Sequence, residues 1–443
     1  MTQEPVTEVD VVVLGVGPGG EYAANKLASA GLDVVAIDRD LVGGECPFYG
    51  CTPSKLMITE ANTPEPSFAE AVRRIRDANH DWHDNGHTDR LEAAGVRIVR
   101  GHGRLDGPGR VRVGEQVFEA RRTVIVNTGT RPAELPIEGL AETPYWTNRE
   151  VFKITEPPAS LVVVGAGPIG AELAQAFARF GTDVTLMEIG PRILLPEEPE
   201  SSELMTRLLE EQGITVRTCR FVGRVSHAGG RFQLHFDSEV VEADELLVAA
   251  GRRNNLDDIG LETVGLDPAA THLEIDERAR AGDRLHAVGD ITGHGAFTHV
   301  SIYQAEIIVA DLLGEPWPDA DYRAVSRVTF THPEVASVGL TEQQARDAGC
   351  AVRTSVSHLE RSSRGWIQRA VGLVKVVEDA ERGVLVGASV VGPAAGEMIG
   401  MFTLAIEAEV PVETFARMHF AYPTLHRAAQ VALERLAPQP SAP

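Results

Sequence analysis

The chain has 443 residues, 43% of them hydrophobic and 24% charged, which is typical of a globular protein of about three domains. Its 41 basic and 64 acidic residues give a net charge of −23, which argues against binding to a nucleic-acid backbone or an anionic membrane. The polar N-terminus does not resemble a secretory signal, and no apolar run approaches the roughly 18 residues of a membrane span, so we expect a cytoplasmic protein.

The first predicted unit is a strand, a glycine-rich turn, a helix and a second strand. Residues 9–14 are an apolar run typical of a buried parallel strand, residues 22–30 fit a helix, and residues 34–37 fit the second strand. The glycines of the turn and the acid that ends the second strand are Gly15, Gly17, Gly20 and Asp38. Such glycines let a pyrophosphate approach a helix N-terminus, and such an acid accepts hydrogen bonds from ribose hydroxyls. The pattern predicts a dinucleotide-binding unit.

A pair of cysteines follows this unit. Cys46 and Cys51 are separated by four residues, bracketed by glycines and followed by Pro53-Ser54-Lys55. Ordinary packing does not call for that arrangement. The remaining cysteines, Cys219 and Cys350, stand alone, and we interpret them as structural or incidental.

Three histidines after the cysteine segment admit two interpretations. His80, His83 and His87 loosely suit one face of a helix, as metal ligands would. Asn85-Gly86 is expected to break that helix between the second and third histidines, which favours an exposed polar connection.

The dinucleotide pattern then recurs. Residues 161–164 fit a strand, a helix is expected to run through Phe180, and residues 184–187 fit the next strand. The corresponding glycines and acid are Gly165, Gly167, Gly170 and Glu188. In each copy the acid lies 18 residues beyond the last glycine. Two such units predict two bound dinucleotides.

The second unit is predicted to be inserted into the first. Residues 123–132 fit a strand followed by a turn at Gly129, and residues 245–253 fit the strand and turn that close the second unit. From about Ser326 onward, strands and helices follow one another without nucleotide-binding glycines.

Together these motifs resemble the pyridine nucleotide-disulfide oxidoreductases, which include dihydrolipoamide dehydrogenase, glutathione reductase and mercuric reductase. The likeness covers about residues 8–432: residues 284–290 resemble the family's second FAD motif, and residues 328–342 and 386–397 resemble its dimerisation domain. It implies an α/β fold with two Rossmann-like domains, for FAD and NAD(P), a C-terminal α+β dimerisation domain, and a homodimer. The boundaries we predict are 1–150 and 271–325 for the FAD-binding domain, 151–270 for the NAD(P)-binding domain and 326–443 for the dimerisation domain.

The resemblance also implies roles for the residues of the cysteine segment. Cys46 and Cys51 form a redox-active disulfide, in which Cys51 is the thiol nearest the flavin and Cys46 meets the electron acceptor. In a reducing cytosol such a disulfide is transient and catalytic, and the alternative is two buried thiols. Lys55 resembles the lysine near flavin N5, and Glu172 its ion-pair partner; the alternative for both is a solvated helix surface. Residues 53–55 resemble a helix start, whose positive end lowers thiol pKa values.

Further residues bear on the cofactors. Asp38 would bind the adenosine ribose of FAD, and Asp290 the ribitol chain. Glu188 favours NAD, because a carboxylate repels the extra phosphate of NADP. Arg192 and Ala174 keep NADP open, the first as a possible phosphate contact and the second as a residue that NADP-using relatives often carry.

The chain departs from the family at its C-terminal segment. Dihydrolipoamide dehydrogenase and glutathione reductase carry a histidine base there, which reaches the other subunit's site, and a glutamate that orients it. This sequence has Tyr422 and Arg427 at those positions. Because general acid–base help is worth about 10²–10⁴-fold, rapid lipoamide or glutathione turnover by the usual route is not expected. Tyr422 either packs or contacts a substrate, and His426 is either a surface residue or a substitute base.

The cysteine segment departs from the family as well. Glu45, Phe48 and Tyr49 replace the usual residues, and the two aromatic rings either shape a pocket for aromatic or quinone-like acceptors or fill a gap in the core. Mercury reduction is not expected, because residues 436–443 contain no cysteine.

The leading hypothesis is an FAD-dependent NAD(P)H oxidoreductase that uses the Cys46–Cys51 disulfide on a small-molecule or protein disulfide or a thiol-linked acceptor. The first alternative is a flavin-direct quinone, dye or metal-ion reductase in which the cysteines are not essential. The second is a non-catalytic subunit that binds a partner complex. No nucleic acid, membrane or metal site is expected.

Overall fold

The computed structural model describes residues 6–236 and 239–436. The tail from residue 437, on which the argument against mercury reduction rests, lies outside the described residues. By their internal contacts the described residues divide into two compact units. The first takes in the chain through Leu56, Val72–Glu134 and Gly251–Asp321; the second takes in Met57–Ala71, Leu135–Ala250 and the chain from Tyr322 onward.

The first unit is built on a mixed sheet with a parallel centre. In spatial order its main strands are Arg280–Gly282, Leu285–Ala287, Gln116–Val126, Val6–Leu14, Val34–Asp38 and Arg97–Arg100. Gly103–Leu105 and Arg110–Val113 extend Gln116–Val126 as antiparallel strands, and Thr130–Pro132 pairs separately with Arg252–Asn254. Val11, Val12 and Val13 at the centre are fully buried, because side chains pack on both faces of the sheet.

Helices cover this sheet and carry the chain between its strands. They are Pro18–Ser29, Glu45–Tyr49, Asn85–Ala93 and Thr298–Leu313, with 3₁₀ turns at Leu261–Val264 and Asp290–Thr292. The helices Cys51–Ala61 and Phe68–Ala78 carry the chain across unit boundaries.

The second unit contains three sheets in the part of the chain that the structure describes. A parallel sheet has the order Thr215–Arg217, Asp183–Met187, Ser160–Val164 and Glu245–Val248. An antiparallel sheet has the order Arg224–Ala228, Arg231–Phe236 and Glu239–Ala243. A second antiparallel sheet has the order Ser326–Thr329, Glu334–Gly339, Val384–Gly392, Leu373–Asp379 and Val352–His358.

Helices of the second unit pack on these sheets. They are Pro168–Arg179, Pro199–Glu211, Glu342–Asp347, Ser363–Gln368, Ala395–Glu407, Val412–Ala416 and His426–Leu436, with 3₁₀ turns at Leu140–Glu142 and Leu359–Arg361. No helix within the described residues is long and apolar enough to cross a membrane.

The second unit also holds a buried lysine surrounded by carboxylates. Lys375 is 2% exposed, and its Nζ lies 3.0 Å from Glu198 Oε2, 2.9 Å from Glu200 Oε1 and 3.0 Å from Glu342 Oε2. Glu198 is 4% exposed, whereas the other two carboxylates reach solvent. The cluster ties the strand Leu373–Asp379 to the start of the helix Pro199–Glu211 and to the helix Glu342–Asp347.

The predicted elements of both dinucleotide patterns are confirmed, with shifted ends. The first helix begins at Pro18 rather than at residue 22, because proline suits the first turn of a helix, where its missing N–H costs nothing. Likewise, the helix expected to start at residues 53–55 begins earlier, at Cys51, and Pro53 lies within its first turn. The expected break at Asn85-Gly86 is wrong, since a helix begins at Asn85; the chain turns earlier, at His80, Asp81 and Trp82, which have positive φ angles.

Candidate functional site

The first glycine turn is closed so tightly that side chains are excluded from it. Gly15 has φ +92°, and a Cβ there would lie 2.4 Å from the carbonyl oxygen of Asn127. A Cβ on Gly20 would lie 2.3 Å from the carbonyl oxygen of Gly15. Asp38 accepts a hydrogen bond from the backbone N–H of Val16 at 2.7 Å, and its burial raises the pKa of the carboxyl group. The acid therefore fixes the turn that it follows.

The second glycine turn repeats this arrangement. Gly165 has φ +101°, and a Cβ on Gly170 would lie 1.8 Å from the carbonyl oxygen of Gly165. Glu188 accepts hydrogen bonds from the backbone N–H groups of Ala166 and Gly190, both at 2.8 Å. Each turn leads into a helix N-terminus, with Gly17 or Gly167 as the residue before the helix. Both turns thus have the form of a cradle for a pyrophosphate.

The structure brings the two cysteines together around a third residue. Cys46 lies in the short helix Glu45–Tyr49, and Cys51 opens the helix Cys51–Ala61; both are free thiols. Thr298 donates a hydrogen bond from Oγ1 to Cys46 Sγ at 3.3 Å, and the same oxygen lies 3.8 Å from Cys51 Sγ. The structure therefore describes the reduced pair, held on a threonine hydroxyl.

This arrangement makes the two thiols unequal. A hydrogen bond from Cys46, the hydroxyl of Thr298 and the positive charge of Lys55 lower the pKa of Cys51 to about 6, although burial opposes them. The pKa of Cys46 is raised well above its ordinary value, mainly by its hydrogen bond with Cys51 and secondly by burial. At neutral pH, Cys51 is therefore the thiolate and Cys46 the thiol.

Replacing Thr298 by valine is expected to raise the pKa of Cys51. When Cys51 is the thiolate, the single hydroxyl proton of Thr298 can be donated to Cys51 Sγ, 3.8 Å away, instead of to Cys46. A hydrogen bond to a charged group is worth about 1.5–3 kcal/mol, so its loss should move the titration midpoint of Cys51 from about 6 to about 7 or above. The pH dependence of alkylation by iodoacetamide in the reduced enzyme measures this midpoint. Thr298→Ser keeps the hydroxyl and serves as the control; equal midpoints for the valine and serine variants would remove Thr298 from the account.

A second network explains the unusual Glu45. The guanidinium of Arg252 pairs with the Glu45 carboxylate and donates from Nε to Thr130 Oγ1 at 2.7 Å. Thr130 Oγ1 in turn donates to Asp290 Oδ2 at 2.7 Å. The residue before Cys46 is thus connected to Asp290, the predicted ribitol-binding residue. Gly129, the predicted turn glycine beside Thr130, has φ +63°.

The two aromatic residues between the cysteines are buried. Phe48 is 1% exposed and Tyr49 is 7% exposed, and the ring of Phe48 lies 5.7 Å from that of His87. The His87 ring also lies 3.0 Å from Glu21 and occupies the space beside Gly43. This burial favours the core-filling alternative for both aromatic side chains over an open acceptor pocket.

The remaining predicted site residues are described within their own units. Lys55 donates from Nζ to Ser54 Oγ at 3.2 Å, and Glu172, 4% exposed, accepts from the backbone N–H of Phe330 at 2.8 Å. The burial of Glu172 excludes the solvated-surface alternative for that residue, while the ion pair with Lys55 stays a prediction. Tyr422 is 70% exposed and hydrogen-bonds Ser363 Oγ through its hydroxyl at 3.1 Å.

No group of three or more histidine, cysteine, aspartate or glutamate side chains in residues 6–236 and 239–436 is placed to hold a metal ion. His83 instead hydrogen-bonds the carbonyl oxygen of His80 at 2.9 Å.

Comparison with known proteins matches this geometry to a family. Residues 9–305 match the model for pyridine nucleotide-disulphide oxidoreductases, and residues 325–433 match the dimerisation domain of the same family. The dihydrolipoyl dehydrogenase of Halobacterium salinarum is 34% identical over 97% of this chain and 96% of its own length. The mercuric reductase of Staphylococcus aureus is 30% identical over 96% of this chain and 82% of its own length.

Solved structures agree with the sequence relatives. The HOCl-induced flavoprotein disulfide reductase RclA from Escherichia coli has a TM-score of 0.87 at 26% identity and covers 96% of this chain and 99% of its own. A Cu(II) complex of RclA has a TM-score of 0.89 at 25% identity, covering 97% of this chain and 100% of its own. These matches bear out the predicted α/β fold with a dimerisation domain.

Proposed function

This chain belongs to the pyridine nucleotide-disulphide oxidoreductase family of flavoenzymes, and from that membership we propose that Cys46 and Cys51 deliver electrons from NAD(P)H to a disulfide or thiol-linked acceptor. The observation that carries the proposal is the pair of thiols on Thr298, with Cys51 as the thiolate at neutral pH. A thiolate of low pKa beside a lysine is typical of a reactive cysteine, whereas structural buried cysteines are inert.

The family uses FAD and NAD(P), and the residues present fit both groups. Each glycine turn is a cradle that a side chain would fill, and each is followed by an acid at the end of the next strand. In the proposal Gly15, Gly17, Gly20, Asp38, Gly129 and Asp290 hold FAD, and Gly165, Gly167, Gly170 and Glu188 hold the nicotinamide nucleotide. Bound FAD supplies the chemistry that accepts a hydride and passes its two electrons to a disulfide. The proposed boundaries remain 1–150 with 271–325, 151–270 and 326–443.

The chain's own residues then carry out thiol–disulfide exchange. The oxidised Cys46–Cys51 disulfide takes up two electrons and two protons, with Cys51 held as thiolate after one proton leaves. Cys46 attacks one sulfur of the acceptor disulfide and its proton passes to the departing acceptor sulfur, so that the first acceptor group leaves as a thiol and a mixed disulfide remains. Cys51 then attacks Cys46, which releases the second acceptor thiolate and restores the starting disulfide.

NADH is the proposed reductant. The carboxylate of Glu188 is already held by two backbone N–H groups at the strand end, in the position that binds the hydroxyls of an adenosine ribose. Arg192 Nη1 donates to Ser202 Oγ at 2.8 Å, which directs this arginine toward the helix Pro199–Glu211. Both observations support NAD over NADP.

The dimerisation domain supports a homodimer. The proposal places the protein in the cytoplasm, where a disulfide is usually transient and catalytic. The thiol groups of the acceptor must leave during the exchange without help from the histidine base that other family members carry. An acceptor whose sulfur leaves readily as a thiolate meets that requirement, because the rate of exchange rises as the pKa of the leaving thiol falls.

A second candidate function keeps the flavin and bypasses the cysteines, as a quinone, dye or metal-ion reductase. Its specific support is that a Cu(II) complex is known both for RclA and for an RclA mutant that has serine in place of a cysteine.

Anaerobic titration with NADH, followed in the flavin spectrum, tests the proposal. We expect a long-wavelength thiolate-to-flavin band after two electrons, because Cys51 is a thiolate at neutral pH. The same titration with NADPH should be slower or require higher concentrations. Bleaching of the flavin without that band would favour the second candidate, and failure of both nucleotides to reduce the flavin would undo the enzyme assignment.

A further inference from the structure

The helix that carries Cys46 is too short to hold its own position. It has five residues, Glu45–Tyr49, whereas isolated helices shorter than about 12–15 residues are marginal in water. Neighbouring residues of the first compact unit must therefore keep Cys46 within reach of Thr298 and Cys51. The contacts that can do this lie at the two ends of the helix.

The start of the helix is held by an ion pair. Arg252 pairs with the carboxylate of Glu45, and both side chains are more than three-quarters buried. The guanidinium is itself fixed on Thr130, because it donates from Nε to Oγ1 at 2.7 Å and from Nη2 to the carbonyl oxygen at 3.0 Å. Arg252 and Thr130 belong to two paired strands, Arg252–Asn254 and Thr130–Pro132. The first residue of the helix is thus tied to a strand ladder.

The end of the helix packs on a histidine. The buried ring of Phe48 lies 5.7 Å from the ring of His87. The same imidazole covers Gly43, where a Cβ would lie 2.9 Å from Cε1. The carboxylate of Glu21 lies 3.0 Å from Nδ1 of the imidazole and also pairs with Arg90. His87 therefore contacts both the turn before the helix and the helix itself.

The turn that enters the helix is held on its other side as well. The backbone N–H of Gly43 donates to the carbonyl oxygen of Val16, in the first glycine turn, at 2.7 Å. The backbone N–H of Val42 donates to Asp84 Oδ2 at 2.6 Å, and Asp84 lies three residues before His87. The approach to the helix is therefore fixed between the glycine turn and the helix Asn85–Ala93.

We propose that Arg252 and His87 are positioning residues that hold the Cys46 helix at its two ends and thereby set how readily the Cys46–Cys51 disulfide closes. A disulfide needs Cα atoms about 4.4–6.8 Å apart and an S–S bond of about 2.05 Å. A helix held at both ends keeps Cys46 in that range, which raises the effective concentration of one thiol at the other. The inference deepens the proposed function and rests on it, since this pair carries the electrons there.

The equilibrium of the cysteine pair with dithiothreitol tests the proposal in the intact FAD-loaded enzyme under anaerobic conditions. Cys46 and Cys51 form their S–S bond as two electrons and two protons pass to oxidised dithiothreitol, whose own S–S bond opens to a dithiol. Acid quenching, alkylation and mass spectrometry count the thiols that remain. We expect the constant for disulfide formation to fall about tenfold in Glu45→Ala and in His87→Ala, which raises the potential of the pair by about 30 mV.

Conservative and distant substitutions provide the controls. His87→Phe keeps an aromatic ring against Phe48 and should retain most of the wild-type constant. Asp33→Ala removes an exposed ion pair with Arg97 in the same unit and should leave the constant unchanged. His83→Ala, at an exposed histidine of the same chain segment, should also leave it unchanged.

The unfolding midpoint in urea is measured in parallel, because a purely structural contact changes that midpoint and leaves the constant of the folded enzyme as it was. If one variant does not fold, the other still tests the opposite end of the helix. Unchanged constants in the folded Glu45→Ala and His87→Ala variants would overturn the proposal. The measurement needs no NADH, so it separates two failures. If NADH reduces the wild-type flavin but leaves the disulfide intact, the proposed function fails, whatever the constants of the variants.

Discussion

Replacing Cys46 by serine is expected to lower kcat/KM for disulfide acceptors by on the order of 10³-fold or more, because the attacking nucleophile is lost and no other described thiol replaces it. Reduction of the flavin by NADH should persist, since nothing in the glycine turns depends on that sulfur. In this variant Cys51 has no partner sulfur to oxidise with, so its thiolate should already be present before NADH is added. Anaerobic spectra together with steady-state assays measure both effects.

The matched control is Cys219→Ser, which removes an exposed thiol elsewhere in the chain and should have little effect. Full activity of the Cys46 variant on a disulfide would contradict the proposed exchange. Full activity of the same variant on a quinone or on Cu(II) would instead establish the second candidate function for that acceptor. One variant with two classes of acceptor therefore separates the two functions.

Much of the fold could be predicted because backbone constraints leave a trace in the sequence. Gly15 and Gly170 are required by close approaches of one backbone segment to another, and apolar runs such as the one preceding Gly15 mark strands buried on both faces. These features are local, so a window of about twenty residues contains them. Helix ends were less predictable, since proline at the start of the first helix signals the end of a turn as readily as the start of a helix.

The parts of the site that escaped prediction are those assembled over long sequence distances. Thr298 lies 252 residues from Cys46, and Arg252 lies 207 residues from Glu45. Neither residue belongs to a spacing pattern, so no local signal marks it.

The exposed fraction of a side chain distinguished between roles that its residue type alone could not separate. Phe48 and Tyr49 suit an acceptor pocket and a core equally well by chemistry, and only their low exposure favours the core. Tyr422 shows the reverse case, since its 70% exposure leaves it accessible to a ligand. Exposure depends on which segments pack together, which the composition of one segment does not determine.

Lys375→Met is expected to destabilise the second unit by about 3–5 kcal/mol, the usual cost of breaking a buried ion pair while its partner charge remains. Glu198, 4% exposed, would be left facing two further carboxylates without a cation, whereas Glu200 and Glu342 can turn toward solvent. Urea denaturation followed by circular dichroism measures the loss. Lys26→Met, at an exposed lysine on the helix Pro18–Ser29, is the control and should change stability by less than about 0.5 kcal/mol.

The pH dependence identifies the origin of this loss. Hydrogen bonds from Arg346 and then from Lys375 lower the pKa of Glu342 below its ordinary 4.5, so this stabilisation is present above pH 4.5 and disappears as the pH falls through the lowered value. The difference between wild type and Lys375→Met should therefore be largest near neutral pH and shrink in acid. Lys375→Met combined with Glu198→Gln should recover about half of the loss, because the buried negative charge is removed together with its partner. A loss that is independent of pH and is not recovered by Glu198→Gln would show that Lys375 acts through packing of its alkyl chain instead of its charge.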